Sequence, residues 1–159
     1  MHDRAEMRER LLAIIESRPG IHASELCRSA GEPWATVQYH LSLLHKGEMV
    51  TSVEAGRERH FFPAETDPMR ARMLAMLLQG RRPEVARFIR DHPGSRQVDI
   101  CDALELSRKT FRSSVAPLIE EGFVHERRGL QNHRYFAQGG LEPLLEMAGD
   151  GAGLGPGFA

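Results

Sequence analysis

Two short stretches of this chain carry side chains of the kind that bind a polyanion. Residues 34–42 place Trp34, Ala35, Gln38, Tyr39 and Ser42 at three- and four-residue spacing, with Thr36 beside them. An amide such as that of Gln38 can pair bidentately with an adenine edge. Residues 107–113 place Ser107, Arg108, Lys109, Thr110, Arg112 and Ser113 in the same relation, and this second face is cationic. A guanidinium there reads guanine or holds phosphate, and residue type alone does not separate the two roles. Downstream of the first stretch come Arg57, Arg59 and His60, and downstream of the second come Arg127, Arg128, His133 and Arg134. Such cations suit a nucleic-acid backbone or a minor groove.

Other chemistries are poorly served. No carboxylate pair, nucleophile-base arrangement or phosphate-cradling glycine loop stands at a useful spacing, so neither an enzyme nor a cofactor is expected. Cys27 and Cys101 are too few for a disulfide scaffold and fit a reducing compartment. The eight histidines show no i, i+4 pair with an acidic or cysteine partner, so no metal site is expected. Apolar and charged fractions of 41% and 27% are those of a globular chain. No apolar run is long enough to span a bilayer, and the start MHDRAEMRER is charged where a signal peptide has its apolar core. The expected location is therefore the cytoplasm. A net charge of −1 counts against a strong nucleic-acid binder, although a local basic face matters more than the sum.

The elements that must position these residues occur twice. Sliding the chain against itself by 74 positions, with no gap, puts Ile15 on Ile89, Pro19-Gly20 on Pro93-Gly94, Cys27 on Cys101, Thr36 on Thr110, Leu44 on Leu118, Val50 on Val124 and Phe62 on Phe136. Apolar positions coincide while surface positions diverge, the pattern of one fold used twice. In the first copy Met7, Leu11, Ile14 and Ile15 recur at helical spacing up to Pro19-Gly20. A short helix with Leu26, Cys27 and Ala30 on one side follows, turned by Gly31. Then comes a helix burying Val37, Leu41 and Leu44, ending near Gly47. Two strands around EAGRE close the unit as a hairpin. The second copy repeats this order, but Pro117 falls inside its third helix, where a missing backbone donor predicts a kink costing about 3 kcal/mol.

The fold expected is mainly α with small β-hairpin wings, an α+β arrangement of two tandem winged helix-turn-helix domains joined by a helix. Residues 1–65 form the first domain, 66–80 the connector, 81–138 the second domain, 139–148 a C-terminal helix and 149–159 a glycine-rich flexible tail. From Glu32 to Phe62 the acids Glu32, Glu48, Glu54 and Glu58 outnumber Lys46, Arg57 and Arg59. From Leu106 to Ala137 six Arg and Lys exceed Glu120, Glu121 and Glu126. Domain one has the cleaner motif and domain two the better charge. Both are expected to touch DNA.

The segment SELCRSAGEPWATVQYHLSLLHKGEMV with its basic hairpin resembles the winged-helix transcriptional regulators of the ArsR and MarR type. Their second motif helix commonly reads Ser-x-x-Thr-Val-x-x-His-Leu-x-x-Leu, and Thr36, Val37, His40, Leu41 and Leu44 occupy those positions. Pro33 stands where the capping serine belongs; the second copy keeps that serine as Ser107 but has Ser114 in place of the histidine. The resemblance implies a regulator that reads double-stranded DNA, usually as a homodimer. Metal-sensing members use a Glu-Leu-Cys-x-Cys pattern, of which SELCRS has only Cys27, with Ser29 at the second position. One thiolate does not make such a site, and both cysteines read as compact core residues. A homodimer is expected through the connector helix, by Met69, Met73 and Leu77, or through the C-terminal helix. Trp34 and Tyr39 either pack against a neighbouring helix or reach DNA, and His40 reads as a core histidine. The competing reading is a winged-helix module that binds proteins, or a regulator subunit without DNA affinity of its own, supported by the near-neutral charge and the uncharged face of residues 34–42.

Overall fold

The computed structural model describes residues 4–149, so residues 150–159 of the expected tail lie outside the described residues. Two compact units are present: residues 4–76 with 147–149, and residues 77–146.

The first unit opens with α1 (Arg4–Ser17), which buries Met7, Leu11 and Ile15 at four-residue spacing and packs Leu12 and Ile14 at the edge of the same core. Pro19 and Gly20 stop it, Gly20 at φ 91°. A two-residue strand β1 (Ile21–His22) leads into α2 (Ala23–Ala30), whose first turn is capped by the His22 ring accepting from the Glu25 N–H. Gly31 ends α2 at φ 69°, its N–H donating to the Cys27 carbonyl. Helix α3 (Trp34–Lys46) starts at Pro33, which offers no side-chain cap, and buries Val37, His40, Leu41 and Leu44. Strands β2 (Val50–Ala55) and β3 (Glu58–Pro63) form the wing, with β3 central between β1 and β2.

Helix α4 (Pro68–Leu77) begins as the Asp67 carboxylate accepts from the Arg70 N–H. The second unit then repeats the order: α5 (Arg82–Asp91), β4 (Ser95–Arg96), α6 (Gln97–Leu104), α7 (Arg108–Glu120), β5 (Val124–Arg128), β6 (His133–Ala137) and finally α8 (Leu141–Ala148). Helices α6 and α7 begin and end 74 positions after α2 and α3. The sheet registers shift by the same interval: Ile21 faces Phe61 as Ser95 faces Tyr135, and Thr51 faces Phe62 as His125 faces Phe136. Buried in this unit are Val85, Ile89, Ile100, Phe111, Leu118 and Val124. The architecture is helix-rich with two small antiparallel sheets, an α+β winged-helix fold.

The structure differs from the sequence reading in the wing sheets, on α4 and on α8. Each wing sheet has a third strand, β1 or β4, too short for an alternating pattern to announce it. Pro117 lies inside α7 as expected, and the helix runs on to Glu120 with Val115 and Leu118 buried on either side of it. Leu77, expected on a dimer seam, is fully buried within the chain, leaving Met69 exposed and Met73 half-buried on α4. Leu141, Leu144, Leu145 and Ala148 of α8 are likewise buried, so the apolar side of that helix is already covered. Among the described residues no helix is long and apolar enough to cross a membrane.

Candidate nucleic-acid interface

In the first unit, burial of Val37, Leu41 and Leu44 turns the opposite side of α3 outward. Trp34, Ala35, Gln38, Tyr39 and Ser42 are all exposed there, while Thr36 is half-buried. Trp34 is 41% exposed and Tyr39 48%, so neither is a core residue, though Tyr39 meets the His40 ring edge-on at 5.2 Å. The Ser42 hydroxyl donates back to the Tyr39 carbonyl at 2.7 Å. Between this face and the wing lies a cleft of about 420 Å³ lined by Trp34, Gln38, Ser42 and His45 of α3 and by Thr51, Ser52 and Arg59 of the sheet. Arg59 is tied to Glu54 across the hairpin, which halves the cationic character of this wing; Arg57 at its tip is exposed.

In the second unit the Ser107 hydroxyl accepts from the Thr110 N–H at 3.1 Å and donates to the Thr110 hydroxyl at 3.0 Å, fixing the start of α7. Thr110 is consequently half-buried and its hydroxyl engaged. Beyond the cap, Arg108, Lys109, Arg112 and Ser113 are exposed on one side of the helix. Among the described residues none of these three cations is in an ion pair, so their charge is directed to solvent. On the wing Arg127 lies over the Phe136 ring, 4.8 Å from its centroid, and Arg134 donates to the Gly94 carbonyl at 2.8 Å. Both are exposed, as is Arg128, and His133 is tied to Glu126. A second cleft, of about 430 Å³, runs between the wing tip and the start of α7, lined by Arg108, Gln131, Asn132 and His133 together with Arg96 of β4.

Two histidines fall elsewhere than a surface role requires. His60 was expected along a nucleic-acid backbone with Arg57 and Arg59, but it is fully buried, its Nδ1–H donating to the Gly20 carbonyl at 2.7 Å. His60 pairs with His22 of β1 in the ladder, and it is the bond back to Gly20 at the start of that strand that its ring makes from within the core. Burial holds its pKa below the ordinary 6.5, against the opposing pull of the Gly20 hydrogen bond and of Glu58; His22 adds a small push in the same direction as burial. His40 is also buried and also held below 6.5, first by burial and then by Arg8 and Arg4, with Glu32 opposing. It is a core histidine as expected, yet its Nδ1 has no hydrogen-bond partner among the described residues. Burial pushes both cysteine thiols up, Cys101 with the Ser107 carbonyl 4.0 Å from its sulfur, which suits packing. Among the described residues no cluster of three or more His, Cys, Asp or Glu could hold a metal ion.

Sequence reasoning missed His45, Arg96 and Gln131 as neighbours of these faces. Arg96 was findable: its carboxylate partner Asp99 follows three residues on, at 3.1 Å, a capping arrangement that marks a helix start. His45 and Gln131 carried no signal of their own, since their place depends on how the wing folds back toward the helix.

Comparison with known proteins bears on the first unit most directly. Residues 5–74 match the N-terminal HTH domain family HTH_HVO_0163_N, so the chain carries a helix-turn-helix domain there. An HTH-type transcriptional regulator of Methanocaldococcus jannaschii is 25% identical over 122 residues, 77% of this chain; the chain spans only 31% of that relative's length. The mRNA-binding domain of elongation factor SelB from E. coli, solved with SECIS RNA, aligns with 86% of this chain and 97% of its own at 15% identity and a TM-score of 0.32. ScpB from Mycobacterium tuberculosis aligns with 87% of this chain and 93% of its own at 12% identity and a TM-score of 0.33.

Proposed function

We propose that the protein is a transcriptional regulator that binds double-stranded DNA in a sequence-dependent way, built as tandem winged helix-turn-helix domains of the ArsR and MarR kind over residues 1–65 and 81–138. Helices α3 and α7 enter major grooves, Gln38 and the α7 arginines facing base edges, and the wings lie on the backbone or in the minor groove. The observation that carries this is the outward, unpaired cationic side of α7, Arg108, Lys109 and Arg112, beginning beside a wing that adds Arg127, Arg128 and Arg134. A helix fits the roughly 12 Å major groove, and cations flanking it neutralise phosphates. The helix-turn-helix family match and the regulator from Methanocaldococcus jannaschii support the same reading. The protein acts without enzymatic chemistry, in the cytoplasm, and where it pairs with a second copy it does so through the exposed Met69 side of α4.

A second reading is favoured by the first unit alone. Its α3 face is uncharged, with Trp34 and Tyr39 exposed and Met49, at 47% exposure, just beyond the helix. Aromatic and methionine side chains of this kind are typical of protein interfaces. Titration of the full chain with random-sequence duplex DNA at two salt concentrations separates the readings. A DNA binder contacting about four to eight phosphates loses affinity steeply as salt rises, whereas a protein-binding module gives no complex even at low salt. Arg108→Ala with Arg112→Ala weakens duplex binding several-fold and lowers the salt slope by about two. Unchanged affinity would remove the second unit from the interface.

A further inference from the structure

The two wings are matched residue for residue except at the tip. In the first, Ala55 pairs with Glu58 and the turn between them is Gly56-Arg57, Gly56 at φ 64°. In the second, the Gly129 N–H donates to the Asn132 carbonyl at 2.9 Å and the turn residues are Leu130-Gln131. A Cβ on Gly129 would meet the Asn132 carbonyl oxygen at 2.9 Å, so the turn is tight. Leu130 thus replaces a glycine at the outermost point of the hairpin, and it is completely exposed, at 107%. Met69 and Val98, by comparison, are little more than half exposed. An isolated surface leucine is ordinary. This one is set on a tight turn with Arg127, Arg128 and Arg134 behind it, on a wing that borders the same cleft as Arg108 of α7.

An apolar tip backed by cations fits one partner chemistry closely. Arginines flanking a leucine bring it against a phosphate-lined groove, and an apolar side chain in a minor groove can wedge between base pairs, unstack them and kink the duplex. We propose that Leu130 is such a wedge: when α7 is docked, the second wing drives it into the minor groove at an easily unstacked pyrimidine-purine step. The proposal rests on the DNA-binding reading above and assigns the second wing a role the first cannot share, since Gly56 has no side chain to insert. Its effect is mechanical. Leu130 makes no phosphate contact, so it changes the shape of the bound DNA without changing how many counterions are released.

The test uses the full chain and a duplex of about 30 base pairs carrying TA steps, one adenine of each replaced by 2-aminopurine, whose fluorescence rises when it unstacks. Binding of the native protein raises that fluorescence. In Leu130→Ala the rise is lost and affinity falls about tenfold with the salt slope unchanged. Leu130→Met, which retains an apolar wedge, restores both. The substitutions are fully exposed, so the fold is unaffected. Salt-dependent binding of the native protein with no fluorescence rise, or a rise that survives in Leu130→Ala, overturns the wedge and leaves the DNA-binding reading standing. Absence of duplex binding at any salt overturns both.

Discussion

His60 and Arg134 sit 74 positions apart and make the same bond, each donating across its sheet to a glycine carbonyl, Gly20 at 2.7 Å and Gly94 at 2.8 Å. One is a fully buried ring; the other is a guanidinium whose remaining donors stay in solvent. The fold needs only a donor at this point, and the two units fill it from opposite ends of the polarity scale. The same contrast recurs along α3 and α7, where Val37 answers to Phe111, His40 to Ser114 and Pro33 to Ser107. Below the surface the exchanges conserve burial. At the surface, from Trp34 to Arg108 and from Gln38 to Arg112, they convert an uncharged face into a cationic one. The difference teaches that this scaffold tolerates divergence wherever a backbone partner or a buried volume is still supplied, so the outward chemistry of each unit is free to specialise.

The comparison can be broken most forcefully in the core. Phe111 is fully buried and meets Tyr135 edge-on at 5.2 Å, while its counterpart Val37, with a smaller side chain, is buried in the core that also holds Phe61. Phe111→Ala should cost about 3–5 kcal/mol, and Val37→Ala about 2 kcal/mol. Hydrogen exchange followed separately in peptides of each unit measures both; equal losses would mean that the second unit does not depend on its aromatic pair.

Acidity provides the next contrast. His40 and His60 are held below 6.5 in the folded state, so the unfolded chain takes up protons first as pH falls through that value. The first unit should therefore be at full stability above about pH 7 and lose it progressively below 6.5. In the second unit Ser114 and Arg134 stand at the places of these two histidines. Fluorescence of Trp34, the single tryptophan and a reporter in the first unit, checks this in urea melts at pH 7 and pH 5. His60→Gln, which keeps a donor and cannot be protonated, should flatten part of the dependence, and a curve as steep as the native one would exclude His60 as a source.

Smaller effects follow from the helix ends. Ser107→Ala removes the hydroxyl that caps α7 and should cost about 1 kcal/mol, whereas Pro33→Ala, which has no cap to lose, should lie within about 0.5 kcal/mol of native. The smallest effect is expected at the turn after the second helix, where Gly31 at φ 69° answers to Glu105 at φ 55°. A left-handed conformation costs a residue with a Cβ about 1 kcal/mol, partly offset by the greater freedom of glycine in the unfolded chain. Glu105→Gly should therefore stabilise the second unit by about 0.5 kcal/mol in a denaturant titration. Destabilisation would show that the Glu105 charge near Arg81 outweighs the backbone strain.

Much of this was determined by the sequence alone. Apolar spacing in Met7, Leu11 and Ile15 is a local property of a helix, and the ungapped recurrence of Pro-Gly, Cys, Thr and Leu carried the order of elements into the second unit. The exposed faces of α3 and α7 followed too, because on a helix knowing the buried residues fixes the opposite side. Only the tertiary structure decided what depends on distant chain segments. The strands β1 and β4 exist because β3 and β6 offer them a free edge, and His60 is buried while its counterpart Arg134, beside the same kind of edge, is exposed. Arg59 is neutralised by a residue across a hairpin, Leu77 is sealed in the chain, and Leu130 stands alone at a tip. Periodicity reports which side of an element is apolar; it carries no information about which neighbour arrives to cover it, and charge pairing and exposure are set by that arrival.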